Sequence, residues 1–231
     1  MSFLYEELDF QSTPIGDLML RRRRMPQFGD TDIYEVKLGE HFLMTSLFHE
    51  AESQLALLGL AATDRANLDV LVGGLGLGYT AVEALKNPRV ASLEIIDFLE
   101  AVIGWHQSEL VPLGKTLNED PRCALTHADF FGLIRAAPEK QRDVILLDID
   151  HTPAHTLAAS NAHFYTEEGL RELVTHLKSD GVFAMWADGA PEAVFVERLA
   201  SVFSEAEGHT IEFDNPITGG SSVGAVYVAR P

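Results

Sequence analysis

The sequence predicts an α/β chain: a mainly parallel sheet covered on both faces by helices, preceded by a small antiparallel β cap. Three observations predict it. From Leu68 onward, short apolar runs rich in Val, Ile and Leu alternate with segments of helical period, the order that builds parallel sheets. Before about residue 46, β-type runs follow one another with only Pro and Gly breaks between them, as antiparallel strands do. The chain closes on two further β runs, TIEF and SVGAVYVA, separated only by NPITGGS, which read as an antiparallel hairpin at one sheet edge.

The elements follow in order. The cap holds FLYEELDF, DLMLRRRR, DIYEVKL and HFLMTS, punctuated by Pro14, Gly16, Pro26, Gly29 and Gly39. In the second of these, strand alternation sends two of the four arginines at 21–24 to each face. A solvated strand edge is the favoured reading of that cluster, with anion binding or an oligomer contact as alternatives. Over 50–62, Leu55, Leu57, Leu58 and Ala61 fall at helical spacing, predicting a linking helix that ends before TDRAN. The remainder reads as strand LDVLV, a helix over 78–86, strand VASLEII, a helix over 99–110, strand CALTH and a short helix FFGLIRAA. Strand DVILLDI, helix TEEGLRELVTHL, strand GVFAMW and helix PEAVFVERLASVF come before the closing hairpin. The expected division is a β cap over 1–46, a linking helix over 47–62 and a larger α/β domain over 63–231.

Composition narrows the function classes. With 231 residues, 46% of them hydrophobic, the chain can bury a full core. No run approaches the roughly 18 apolar residues of a membrane span. The acidic start MSFLYEELDF lacks the basic-then-apolar order of a secretory signal, so a cytoplasmic chain without a membrane partner is expected. A formal net charge of −18 argues against a nucleic-acid partner, whose phosphates are bound through Lys and Arg, and permits a cationic substrate. The single cysteine, Cys123, cannot form an internal disulfide, and its apolar-alternating run favours a buried strand residue over a nucleophile.

The most specific stretch is VLVGGLGLGYT, over 70–80. In a doubly wound sheet the first strand-to-helix turn is the usual ligand anchor, and glycines at 73, 74, 76 and 78 would let the backbone approach a nucleoside closely. Structural glycines in a tight turn are the competing reading. Three acids at the ends of the following strands favour the first. Asp97, 23 positions after Gly74, sits where a carboxylate accepts hydrogen bonds from ribose hydroxyls, although it could also cap the next helix. Asp129 ends the third strand, placed for the exocyclic amine of adenine or, again, for a helix cap. Asp148 ends VILLD, a strand apolar enough to be buried on both faces; partial burial would raise its pKa and suit it as a general base. Asp150, His151, His155 and His163 follow, but DxDH is not an established ligand spacing and no metal is expected.

These residues resemble the spermidine synthase family of polyamine aminopropyltransferases. In that family the glycine turn reads GGGDGG, an acid ends the next strand, a GD pair follows the third and DSSDP or DSTDP follows the fourth. The counterparts here are GLGLGY over 74–79, Asp97, Ala128–Asp129 and DIDHTP from Asp148, and HFYTEEGLRELVTHLKSDGVFAMW is similar to the family's next segment. The resemblance implies a Rossmann-like, class I methyltransferase-type sheet behind the β cap. It implies that Gly74, Gly76 and Gly78 cradle the nucleoside, that Asp97 binds ribose and Asp129 adenine, and that Asp148 deprotonates an attacking amine. A homodimer is a further family-level expectation.

Two departures bear on the chemistry. Leu77 stands where the family has the Asp of GGGDGG, which is expected to hold the amino end of the aminopropyl group; losing that charge-assisted bond is worth roughly 1.5–3 kcal/mol. In the acidic loop, the later Asp of DSSDP aligns with His151, and the nearest acidic substitute is Asp150. The segment FLMTSLFHEAESQLA also lacks the family's DEFxYHE run: gapless counting puts Ser53 and Gln54 at its Tyr-His or Tyr-Gln positions, while another alignment uses His49 and Glu50. Three functions follow. The leading one moves an aminopropyl group from decarboxylated S-adenosylmethionine to a polyamine. The second uses S-adenosylmethionine to methylate a small molecule, and the third binds a nucleoside or partner without turnover. Neither transfer needs a metal, because a sulfonium is already a good leaving group.

Overall fold

The structure is a computed structural model that describes residues 5–231. Four strands, β1 (Tyr5–Thr13), β2 (Gly16–Arg23), β3 (Ile33–Leu38) and β4 (His41–Thr45), pair antiparallel in the order β1-β2-β3-β4. This is the expected cap; the first run was read from Phe3, and Phe3 and Leu4 lie outside the described residues. The solvated edge expected for the arginines is corrected, because β2 lies between β1 and β3. Alternation does split the four arginines. Arg21 and Arg23 both reach the buried Glu35 carboxylate, at 2.6 and 2.5 Å, while Arg22 pairs with Glu6 and Arg24 with Asp32. The cluster neutralises the cap's own acids.

Helix α1 (Glu50–Ala61) follows, and it does more than link. It lies against the larger sheet, so closely that a Cβ at Gly59 would stand 2.6 Å from Leu146. Strands β5 (Leu68–Gly73), β6 (Val90–Asp97), β7 (Cys123–His127), β8 (Arg142–Leu147) and β9 (Leu177–Asp188) run parallel. Strands β10 (Glu205–Asp214) and β11 (Ser221–Arg230) add the expected antiparallel hairpin, giving the order β10-β11-β9-β8-β5-β6-β7. The helices α2 (Tyr79–Leu85), α3 (Glu100–Gln107), α4 (Gly114–Glu119), α5 (Phe130–Arg135), α6 (Glu167–Thr175) and α7 (Ala193–Ala200) fill the connections. Of these only α4 escaped the sequence reading, because GKTLNE carries no apolar period. The strand expected from Gly181 begins at Leu177, so the helix expected through that residue ends earlier, at Thr175, and the polar KSDG segment belongs to the strand.

Period-2 alternation on the central strands builds one core on each sheet face. Val70, Val72, Val144 and Leu146 face α1 and α2, whereas Leu71, Ile145 and Leu147 face Phe164, Tyr165 and Phe195. Cys123 is half-buried on the edge strand β7, and burial pushes its thiol up to about 11, as suits a strand residue. From β5 the order runs outward through β6 and β7 on one side and through β8 and β9 on the other. The carboxyl ends of β5 and β8 therefore lie side by side at the point where such sheets bind ligands.

Candidate active site

The cleft opens at that point. Gly74 turns the chain after β5 with φ +95°, and a Cβ there would lie 2.0 Å from the Asp148 carbonyl oxygen, so only glycine lets the tips of β5 and β8 approach this closely. Asp148 N–H donates to the Gly73 carbonyl at 2.7 Å, and Gly74 N–H to that of Ile96 at 2.8 Å, locking the turn between two strands. Gly76 and Gly78 also hold positive φ, and the turn from Gly74 to Tyr79 forms one wall. Ile15, Leu18, Val36, Leu43 and Met44 of the cap form the wall opposite. Trp105 of α3 joins the two, its indole N–H donating to Asp9 of β1 at 2.6 Å.

Four acids line this cleft: Glu52, Asp97, Asp129 and Asp148. Asp97 accepts from Leu75 N–H at 2.9 Å and from Leu99 N–H at 2.8 Å, so it ties the glycine turn to the chain that enters α3, and burial pushes its carboxyl up. Asp129 precedes α5 but makes no capping bond there, and its exposed carboxylate accepts no hydrogen bond among the described residues. The cap alternative is thus unfilled for both acids, because α3 has Leu99 as its N-cap residue and neither helix has a side-chain capping bond. Asp148 accepts a 2.7 Å bond from the Thr80 hydroxyl, and burial raises its carboxyl above the ordinary range.

No Lys or Arg lines the cleft, and none of the four acids takes part in an ion pair among the described residues. The contrast with the opposite end of the sheet is sharp. There Arg142 pairs with Asp69 and Glu94, and Lys178 and Arg65 pair with Asp143. Carboxylates desolvated without a cation are costly, so the arrangement favours a ligand that brings positive charge.

The remaining expected residues separate. His151 lines the cleft, and burial together with the neighbouring His155 and His41 lowers its pKa. Asp150 is turned away from the cleft and 3% exposed. Its Oδ1 accepts from Leu157 N–H at 2.6 Å and Asn161 at 3.0 Å, and its Oδ2 from Tyr165 at 2.8 Å and Asn161 at 3.2 Å. With its lone pairs engaged, it orders the loop after β8 and is no substitute for a cleft acid. Gln54, Ser53, His49 and Glu50 are also outside the lining: His49 stacks on Tyr79 at 4.0 Å and sits 3.4 Å from Ser53 Oγ, while Glu50 accepts from His49 N–H. The helix instead presents Glu52, which the sequence reading missed because no motif marks it. Leu77 is 2% exposed, so the turn contributes no carboxylate at that position. Among the described residues, no three His, Cys, Asp or Glu side chains gather so as to hold a metal ion, and no helix is long and apolar enough to cross a membrane.

A model of the spermine/spermidine synthase domain matches residues 50–213. A polyamine aminopropyltransferase of Prochlorococcus marinus (strain MIT 9313) is 32% identical over 146 residues, which is 63% of this chain and 48% of that protein. Putrescine N-methyltransferase 2 of Nicotiana tabacum is 29% identical over 79 residues, covering 34% of this chain and 22% of that one. The chain spans about half the length of the curated aminopropyltransferases it matches. In fold it is similar to the spermidine synthase from Thermotoga maritima, with a TM-score of 0.74 at 21% identity over 96% of this chain and 72% of that one.

Proposed function

The chain belongs to the spermine/spermidine synthase family, and from that premise we propose that it transfers an aminopropyl group from decarboxylated S-adenosylmethionine to a polyamine. The observation that carries this reading is the cleft itself: among the described residues it has four carboxylates outside any ion pair and no Lys or Arg, set on a glycine turn at the switch point of the sheet. Both substrates of such a reaction are cations, one a sulfonium and the other an amine, and the cleft's charge suits both.

In this reading the glycine turn and Asp97 hold the ribose, and the open Asp129 carboxylate accepts from the adenine amine. The amine nitrogen attacks the carbon bonded to the sulfonium, the C–N bond forms as the C–S bond breaks, and the electron pair leaves on sulfur as methylthioadenosine. The proton lost by the amine passes to Asp148, whose raised pKa places it nearer the operating range of a general base. Positioning the two reactants in one desolvated cleft supplies most of the acceleration. His151 stands at the same cleft and is assigned to the acceptor side, while Gln54 and Asp150 are left out of the chemistry.

One observation favours a second reading, methyl transfer from ordinary S-adenosylmethionine: Leu77 offers no acceptor for the amino end of an aminopropyl donor. The likeness over 79 residues to a protein named putrescine N-methyltransferase is in keeping with it. Calorimetric titration with S-adenosylmethionine, its decarboxylated form and methylthioadenosine separates the two. Tighter binding of the decarboxylated donor supports aminopropyl transfer, tighter binding of S-adenosylmethionine supports methyl transfer, and binding of none would overturn both.

A further inference from the structure

Glu52 lies in the first turn of α1 and lines the cleft together with Asp148. Thr80 joins them: its hydroxyl is 2.7 Å from Asp148 Oδ2 and 3.3 Å from the carbonyl oxygen of Glu52, one proton facing two acceptors. Among the described residues, the Glu52 carboxyl accepts no hydrogen bond from another side chain and takes part in no ion pair, and no cation is among the causes of its pKa shift. Burial, then the charge of Asp148, and to a smaller extent that of Glu50, push its pKa well up, while its own backbone N–H lowers it. Tyr79 of α2 is the other titratable group that feels Glu52. Burial raises both carboxyls, Glu52 the more, so near neutral pH the empty cleft favours a protonated Glu52 beside an ionised Asp148.

A second observation points to a ligand at this end. The indole Nε1 of Trp186 is buried, lines the same cleft and has no hydrogen-bond partner among the described residues. It stands beside Gly224, whose other neighbour is Ala51, adjacent to Glu52 in sequence: a Cβ on Gly224 would lie 3.6 Å from Trp186 Nε1 and 3.0 Å from the Ala51 Cβ. An unmatched donor thus faces the same cleft, and a buried group of this kind is normally satisfied, here by an acceptor atom of a bound molecule rather than by its ammonium group.

We propose that Glu52 is a specificity-determining carboxylate that, together with Asp148, holds one ammonium group of an aliphatic amine substrate. This rests on the reading of the cleft as an alkyl-transfer site for cationic substrates, and adds to it a residue outside the acidic motifs that carry the family resemblance. The empty pair holds one proton and one negative charge. The occupied pair is doubly ionised against the ammonium, so the arriving amine displaces about one proton.

The test is calorimetric titration of the full chain with 1,4-diaminobutane, with and without methylthioadenosine, in two buffers of different ionisation enthalpy, on the wild type, Glu52→Gln and Glu52→Asp. The expected result is diamine binding with proton release by the wild type, binding at least about tenfold weaker with that release lost in Glu52→Gln, and partial rescue by Glu52→Asp. Methylthioadenosine affinity should stay within about twofold in both variants. Equal diamine affinity in Glu52→Gln, or wild-type binding without proton release, overturns the proposal, and the wild-type proton count decides the matter even if Glu52→Gln does not fold. A protein that bound the diamine through Glu52 but no nucleoside would uphold this inference and overturn the reading it rests on.

Discussion

The Thr80 hydroxyl lies 2.7 Å from Asp148 Oδ2, tying the first turn of α2 to the residue that follows β8. That bond favours the ionised carboxylate and opposes the upward push of burial. Thr80→Val keeps the side-chain shape and removes the donor, so the Asp148 pKa should rise further, by up to about one unit for a bond worth about 1 kcal/mol. The check is the acidic limb of the pH profile of kcat/KM, which should move to higher pH in the variant.

Glu52 predicts a pH-dependent stability. Its folded-state pKa is raised, so the folded chain holds a proton that the unfolded chain gives up above about pH 4. Stability from this group is complete below that pH and is lost as pH rises toward the folded-state value. Glu52→Gln removes the ionisation, so without ligand it should melt above the wild type at pH 8 and near it at pH 4. The expected gain at pH 8 is about 2–4 °C for each kcal/mol recovered, read by thermal denaturation across pH.

Asp148 and Asp150, two residues apart, should respond in opposite ways. Asp150→Ala leaves Leu157 N–H, Asn161 and Tyr165 without their acceptor and should cost about 3 kcal/mol in denaturant unfolding. Asp148→Asn should leave stability unchanged or raise it above neutral pH, while abolishing most turnover.

In the cap, Glu35→Gln leaves Arg21 and Arg23 facing a neutral amide inside a sheet where the carboxylate is 1% exposed. Removing one partner of such a buried network costs about 3 kcal/mol, more than loss of the half-exposed Arg22–Glu6 pair, which is worth under about 1 kcal/mol. Urea unfolding of Glu35→Gln and Glu6→Gln gives the comparison.

What the sequence made legible follows from where the physics is local. The glycine turn and the acids at the ends of β6, β7 and β8 could be read because strand period and turn chemistry act over a few residues. The roles of Asp150 and Glu52 could not, because each depends on contacts distant in sequence. Asp150 looks like a shifted motif acid until Asn161 and Tyr165 are seen to surround it. Counting along the chain led to Gln54, yet two residues along a helix are a rotation of about 200°, so Gln54 and Glu52 face opposite ways. The arginines at 21–24 alternated as expected, but only the sheet order shows that β2 is an inner strand whose cations meet Glu35, Glu6 and Asp32.

In the proposed reaction Asp148 accepts the proton of an amine attacking a nucleoside sulfonium. The most direct measurement follows methylthioadenosine release from decarboxylated S-adenosylmethionine, with and without a polyamine, by wild type and Asp148→Asn. The expected result is amine-dependent release by the wild type, reduced at least about a hundredfold in the variant while methylthioadenosine still binds. Release that needs no amine, or that survives undiminished in Asp148→Asn, would contradict it.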